Sequence, residues 1–296
     1  MELRQLTYFA AVARHRHFTR AAAELRVAQP ALSQQIKRLE AEVGLSLLDR
    51  TSRRVNLTEA GELLLERAGR VLAEVEAAQE ELAGLRGLES GRVTIGAMQS
   101  LGPVDLAALL GDFHARHPGI EVVLRESTTE WMTRAVVADE LDLAFITLRG
   151  DLDERLAGAR VFREELVAIA APGPRWKNRR RVALADLADE PFVFFAAGTG
   201  LRAAVEDAAE AAGVTLRAAF ETNELSRVRA LAARGLGVAV VPASTAYAPG
   251  PDVAILSLRP QLAREVGLVW RRERRLAPAP AAFLAFAREQ LSARAA

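Results

Sequence analysis

Gln29, Ser33, Gln34, Lys37 and Arg38 fall on one face of a helical period within the first forty residues. These side chains suit nucleic acid. An amide can meet a base edge through two hydrogen bonds, a hydroxyl serves base or phosphate, and the two cations suit phosphates. Arg50, Arg53 and Arg54 follow at the tip of a short hairpin pattern, where like charges repel unless a polyanion is near. A second group lies further on: Gln99, Ser100 and Leu101, then Thr128 and Thr129, Thr147, and the turn Gly198-Thr199-Gly200-Leu201-Arg202. It is mostly hydroxyls, amides and backbone N–H groups, with one cation. Ser100 and Thr199 lie near expected helix N-termini, which favour an anion, and Arg202 can complete a carboxylate clamp. That chemistry fits a small acidic or polar metabolite, although each residue also serves as a plain helix cap or turn.

Other chemistries find little support. The chain has no Cys, which removes disulfides, thiolate zinc sites, Cys nucleophiles and thiol-based redox sensing. Its four His, at 15, 17, 114 and 117, show no metal-ligand pattern, and no Gly-x-Ser-x-Gly occurs. Gly198-x-Gly200-x-x-Ala203, with Glu221 some twenty residues on, matches a loose dinucleotide-binding fingerprint. A short Gly turn before a helix serves any anion, however, so the expectation is no cofactor, no metal and no enzyme. The opening residues are charged and no run of 18 apolar residues occurs, so a signal peptide and a membrane span are not expected. The cytoplasm is the expected location.

These residues need particular elements to hold them. Leu3, Leu6, Ala10 and Ala13 give a first helix an apolar stripe. Thr19 can N-cap a short second helix, with Phe18 just before the cap. After the turn Arg26-Val27-Ala28, Pro30 sits where a third helix starts, and Leu32, Ile36, Leu39 and Val43 form its inner face up to Gly44. Two short helices, a tight turn and a polar outer face make a helix-turn-helix. The same pattern also fits an ordinary helical bundle with a solvated face. Leu47-Leu48 and Val55-Asn56-Leu57 read as the two strands of a basic wing.

Thr58 can cap a long helix over 58–88, along which Leu64, Ala68, Val71, Val75, Ala78, Leu82 and Leu85 alternate at spacings of four and three. Such a seam is best buried against a twin, which predicts a homodimer. Residues 1–57 carry ten Lys/Arg against five Asp/Glu, and residues 58–91 carry three against eight. A basic module beside an acidic rod is the layout of a nucleic-acid reader with a separate body. From residue 92 strands and helices alternate, which predicts a parallel-sheet α/β body of two doubly wound lobes joined by two crossings, like a periplasmic binding protein. The expected domains are a head at 1–57, a linker helix at 58–90 and a sensor at 91–296. Lobe I of the sensor takes 91–161 and 266–296, and lobe II takes 162–265.

The run Phe18-Thr19-Arg20-Ala21-Ala22, then Gln29-Pro30-Ala31-Leu32-Ser33-Gln34-Gln35-Ile36, Leu39-Glu40, Gly44, Leu47-Leu48-Asp49-Arg50 and Leu57-Thr58-Glu59-Ala60-Gly61 resembles the N-terminal signature of LysR-type transcriptional regulators. The match spans some sixty residues without gaps, and looser motifs extend it over the body. Ala28 departs from it, standing where many members have a hydroxyl residue. The resemblance implies DNA contacts from Thr19, Gln29, Pro30, Ser33, Gln34, Lys37, Arg38, Arg53 and Arg54. It also implies a dimer through the long helix, often assembled into tetramers, and a pseudo-palindromic promoter site on double-stranded DNA. It admits RNA polymerase as a further partner. A solute-binding protein or α/β enzyme with a helical appendage is the alternative.

Overall fold

The computed structural model describes residues 1–51, 54–85, 90–150 and 152–293, and the chain divides into two compact units, Met1–Gly87 with Ala138–Glu140, and Leu88–Val137 with Leu141–Ala296. No described helix is long and apolar enough to cross a membrane.

The first unit opens with helices α1 (Leu3–His15), α2 (Phe18–Glu24) and α3 (Gln29–Val43). Phe9 and Val12 of α1, Ala21 of α2, and Leu32, Ile36 and Leu39 of α3 are fully buried in one cluster. The stripe expected on α1 is displaced: Leu3 is 46% exposed, because the face that turns inward runs through Leu6, Phe9, Val12 and Ala13. The cap of α2 also differs from expectation. His17 takes the role, its Nδ1 accepting from the Thr19 N–H, so Phe18 becomes helical and the Thr19 hydroxyl does no capping. Ala28 caps α3 without a side-chain bond, and Gly44 closes it at φ 74°, where only glycine is unstrained.

Strands β1 (Leu48–Thr51) and β2 (Arg54–Leu57) form the hairpin, with Leu48 opposite Leu57. The Glu40 carboxylate of α3 accepts from the N–H groups of Leu47 and Leu48 and fixes the hairpin to the helix. Helix α4 (Glu59–Leu85) follows, about 40 Å long at 1.5 Å per residue. Thr58 caps it, accepting from the Gly61 N–H while donating to the Ser46 carbonyl. In the single chain the seam residues Val71 and Leu82 lie open to solvent, 43% and 62% exposed.

Gly61 has no alternative at its position. A Cβ there would run into the Leu47 carbonyl oxygen. Gly61→Ala is therefore expected to pry hairpin from helix and cost the head about 1–3 kcal/mol. Amide exchange at Phe9, Val12 and Ile36 measures it; unchanged protection would show that the hairpin yields freely.

The second unit carries β3 (Gly91–Ala97), α5 (Leu106–Arg116), β4 (Ile120–Glu126), α6 (Thr129–Val137) and β5 (Leu143–Leu148), then the long β6 (Leu156–Ala170) and the short β7 (Arg181–Val182). After a 3-10 turn at Leu184–Leu187 come β8 (Pro191–Phe194), α7 (Gly200–Ala211), β9 (Arg217–Glu221), α8 (Leu225–Ala233), β10 (Ala239–Pro242), α9 (Ala243–Tyr247), β11 (Ala254–Arg271) and α10 (Pro278–Ala293). The main sheet runs β10-β6-β11-β5-β3-β4, with β7 against β11, and β8 pairs β9 separately. Phe113, Phe145 and Phe283 centre one core, and Phe192, Val193, Val228 and Leu256 belong to another. Phe113 and Phe283 meet edge to face at 5.0 Å.

The sheet is mixed, where an all-parallel one was expected. β3 lies parallel to β4 and β5, but β11 is antiparallel to both β5 and β6. β6 and β11 run to 15 and 18 residues, because each leaves one lobe and continues into the other. One goes out and the other returns, so they pair antiparallel through both lobes.

Candidate functional site

The outer face of α3 presents two parallel rows at four-residue spacing, Gln29-Ser33-Lys37 and Pro30-Gln34-Arg38. Side chains four apart on a helix lie about one turn along the axis from each other, so each row can follow a groove. All six are exposed except the half-buried Ser33, while Leu32, Ile36 and Leu39 behind them are fully buried. Thr19 is exposed at the start of α2. Arg20 and Arg26, also exposed, add two cations that the sequence reading did not single out. Arg50 and Arg54 lie in the paired strands of the hairpin, and their side chains fall outside what is described. Arg53 lies outside the described residues.

Within the sensor, a cavity of about 290 Å³ opens between the lobes. Gln99 and Ser100 reach it from the loop after β3, Thr128 and Thr129 from the start of α6, Thr147 from the end of β5, and Thr199 and Gly200 from the start of α7. Two of the expected residues are not part of its wall. Leu101 is buried in the core beside Phe113. Arg202 turns to Glu206 and Glu221, donates to the Phe195 carbonyl and lies over the Phe194 ring at 3.9 Å. Arg202 thus stays outside the cavity wall, and Glu221, placed for a ribose contact in a dinucleotide site, is its partner.

The cavity's cation is Arg264, from the middle of β11. Its side chain is fully buried. Nε and Nη2 donate to Glu164 Oε2 at 3.2 and 2.9 Å, and Nη2 also donates to Ser100 Oγ at 3.0 Å. Glu164 stands directly across the ladder on β6, and its other oxygen accepts from the Ser244 N–H at the start of α9. Burial pulls the Arg264 guanidinium below the ordinary arginine range, and the hydrogen bonds and charge of Glu164 push the other way. A chain of contacts thus runs from Ser100 in the first lobe, through the two crossing strands, to α9 in the second.

Two helix N-termini meet at the same place. Thr128 accepts from the Trp131 N–H and Thr199 from the Arg202 N–H, so both hydroxyls act as caps. The start of α7 packs so closely on β5 that a Cβ on Gly200 would lie 2.5 Å from Thr147 Cβ and 2.6 Å from its hydroxyl oxygen, and 3.1 Å from the Thr129 hydroxyl at the start of α6. The first turns of the two helices bring the positive ends of two helix dipoles to the cavity wall. Phe195, Leu201 and Leu225 supply apolar surface, and Ser127 and Asn223 further polar groups. The rule that ligands lie beyond the carboxyl ends of strands points to Ser127 and Asn223 as well. No such rule points to Arg264, which sits mid-strand. Among the described residues, no three His, Cys, Asp or Glu side chains converge to hold a metal.

Comparison with known proteins bears on both units. Residues 3–62 match the family described as bacterial regulatory helix-turn-helix protein, lysR family, and residues 86–292 match the LysR substrate binding domain. The chain is 33% identical over 277 residues to the DNA-binding transcriptional dual regulator OxyR of Escherichia coli K12, covering 92% of this chain and 90% of that protein. Full-length OxyR from Pseudomonas aeruginosa, solved with a Cys-to-Asp substitution, superposes with a TM-score of 0.72 at 27% identity, covering 97% and 94% of the two chains. Full-length CbnR in complex with its target DNA superposes with a TM-score of 0.63 at 26% identity, covering 98% and 99%.

Proposed function

We propose that this chain, which belongs to the LysR family of DNA-binding transcription regulators with an effector-binding domain, reads double-stranded DNA with the outer face of α3 and takes a small acidic or polar effector in the cavity of its sensor. Residues 1–57 form the DNA-binding head, 58–90 the dimerising linker and 91–296 the effector domain, with lobe I at 91–161 and 266–296 and lobe II at 162–265. Gln29, Ser33 and Gln34 meet base edges. Thr19, Pro30, Lys37 and Arg38, with Arg50, Arg53 and Arg54 of the wing, hold the backbone.

One observation carries the effector reading: a buried guanidinium and two helix N-termini converge on one cavity. Two helix N-termini and Arg264 meet the cavity from three directions and favour a ligand that brings negative charge or strong acceptors, against the opposing carboxylates of Glu126 in the wall and Glu164 on Arg264. Gln99, Ser100, Thr129, Thr147 and the Gly200 backbone orient it. The hydroxyls of Thr128 and Thr199 already serve as caps, which suits binding without turnover, so the chain acts as a regulator and not as an enzyme. It works in the cytoplasm, where the chromosome lies. A ligand shifts such a protein only through unequal affinity for its two arrangements, here open and closed lobes.

The relatives include hydrogen peroxide-inducible activators. This chain has no Cys, so no response of its own runs through a thiol. The seam along α4 joins two chains, so the heads meet a pseudo-palindromic site, and dimers pair into tetramers. With Lys37 and Arg38 on phosphates in both heads, the logarithm of the binding constant should fall with the logarithm of salt at a slope of at least about −3.6. A mobility-shift titration on the DNA upstream of its own gene measures this. Absence of a specific complex at low salt would overturn the regulator reading.

A further inference from the structure

Three methionines, at 1, 98 and 132, supply all the sulfur of the chain. Met1 is 67% exposed, and Met132 is fully buried in a core with Val136 and Ile146. Met98 differs from both. It follows β3, packs against the cores around Phe113 and around Met132, and lines the sensor cavity. Two donors meet its thioether there: the Thr147 hydroxyl donates to Sδ at 3.6 Å and Arg264 Nη1 at 3.8 Å.

Both donors are buried, Thr147 being 3% exposed and the Arg264 side chain 0%. Neither can swing away. Thr147 is paired with Val266 across the sheet, and the rest of the guanidinium is tied to Glu164 and Ser100. Among the described residues no oxygen accepts from the Thr147 hydroxyl or from Arg264 Nη1. A thioether is a weak acceptor, so two strong donors are aimed at an atom that uses little of what they offer. Oxidation of the sulfur reverses this. A sulfoxide oxygen is a strong acceptor, and it stands one bond length away from the sulfur at which the donors point. In an ordinary core a sulfoxide is disruptive, because it buries a polar group without a partner. Here the partners are already in place.

We propose that Met98 is an oxidation site of the sensor, and that Arg264 Nη1 and the Thr147 hydroxyl receive its sulfoxide oxygen. The oxidant is a small peroxide, uncharged and therefore not repelled by Glu126 in the wall. A sulfur lone pair attacks one oxygen of hydrogen peroxide, and the S–O bond forms as the O–O bond breaks. The sulfur is oxidised by two electrons, and the second oxygen leaves with both protons as water. The two donors also stabilise the negative charge that builds on the transferred oxygen. That oxygen takes the place of an acidic effector's acceptor, so oxidation sets the sensor in its occupied arrangement without a ligand. This consequence rests on reading the cavity as the effector site; the oxidation site does not.

The full-length protein is treated with hydrogen peroxide while the masses of the peptides carrying Met1, Met98 and Met132 are followed. Met98 should be converted alongside Met1 and well before Met132. Thr147→Val should slow Met98 about 2- to 10-fold, the loss of one hydrogen bond, and Thr147→Ser should not. At exposures that spare Met132, oxidation should raise the thermal midpoint of the sensor by about 2–4 °C, as one gained hydrogen bond does in a unit of this size. Thr147→Val should cancel that rise, and Met98→Leu should abolish every effect of peroxide on the melt. Met98 left unreacted when Met1 is fully converted would overturn the site. So would a midpoint lowered by oxidation, or a Thr147→Val protein that reacts and melts like the wild type. None of these readouts uses an effector, so failure of the effector reading and failure of the oxidation site are told apart.

Discussion

Arg264→Met should destabilise the sensor by about 3–5 kcal/mol, the usual result of leaving one member of a buried ion pair alone. Glu164 would keep its carboxylate, buried to within 8% of full enclosure, with only the Ser244 N–H to satisfy it. Ser100 would lose its donor as well. The three Trp of the chain, at 131, 176 and 270, all lie in the sensor, so denaturant melts followed by their emission report this unit alone. Arg264→Met/Glu164→Gln should recover most of the loss, since removing both charges leaves no uncompensated one. A single variant as stable as wild type would show that water reaches Glu164 and that the pair is not sealed. The same measurement bears on function. If the double variant folds normally but no longer gains stability from small carboxylates that protect the wild type, the guanidinium is the group they seek.

Gln34→Ala should weaken specific DNA binding and leave non-specific binding nearly unchanged. A bidentate amide–base pair contributes about 1–3 kcal/mol of discrimination. Two heads on a two-fold site double that, which corresponds to roughly a 30-fold to 10⁴-fold loss on the cognate sequence. Lys37→Ala should do the opposite. It should weaken binding to cognate and scrambled DNA alike and reduce the salt slope by about 0.9 per head. Anisotropy titrations on both DNAs at several salt concentrations separate the two patterns. Equal losses of Gln34→Ala on both DNAs would place Gln34 on the phosphates and remove it from base reading.

The helix-turn-helix was legible because its contacts are local. Leu32, Ile36 and Leu39 announce their face by spacing alone, and Gly44 announces the end of α3. The errors in the head are equally local: His17 outcompetes Thr19 for the cap because its ring nitrogen reaches the N–H two residues on. In the sensor, the residues at strand ends were accessible to a general rule, and Gln99, Ser100, Thr128, Thr129, Thr147, Thr199 and Gly200 do come together. Arg202 looked like the cation because it stands in the same turn, but its neighbours Glu206 and Glu221 claim it. Arg264 gave no signal, since its meaning depends on Glu164, a hundred positions earlier on a strand whose length the sequence pattern concealed. Mid-strand charge reads as a solvent-facing residue until the partner strand is known.

The crossing strands also set a timetable. Every contact that closes the core of the head lies within the first 65 residues, so the head can fold while most of the chain is still on the ribosome. The sensor has no such liberty. β6 ends at Ala170, yet its partner β11 is complete only at Arg271, about a hundred residues later. At about 5–20 residues per second the unpaired backbone edge of β6 waits roughly 5–20 s for its mate. An open edge that ends in the unbroken apolar run Leu166–Ala170 is a template for the wrong strand, so in those seconds the nascent chain is most in need of a chaperone.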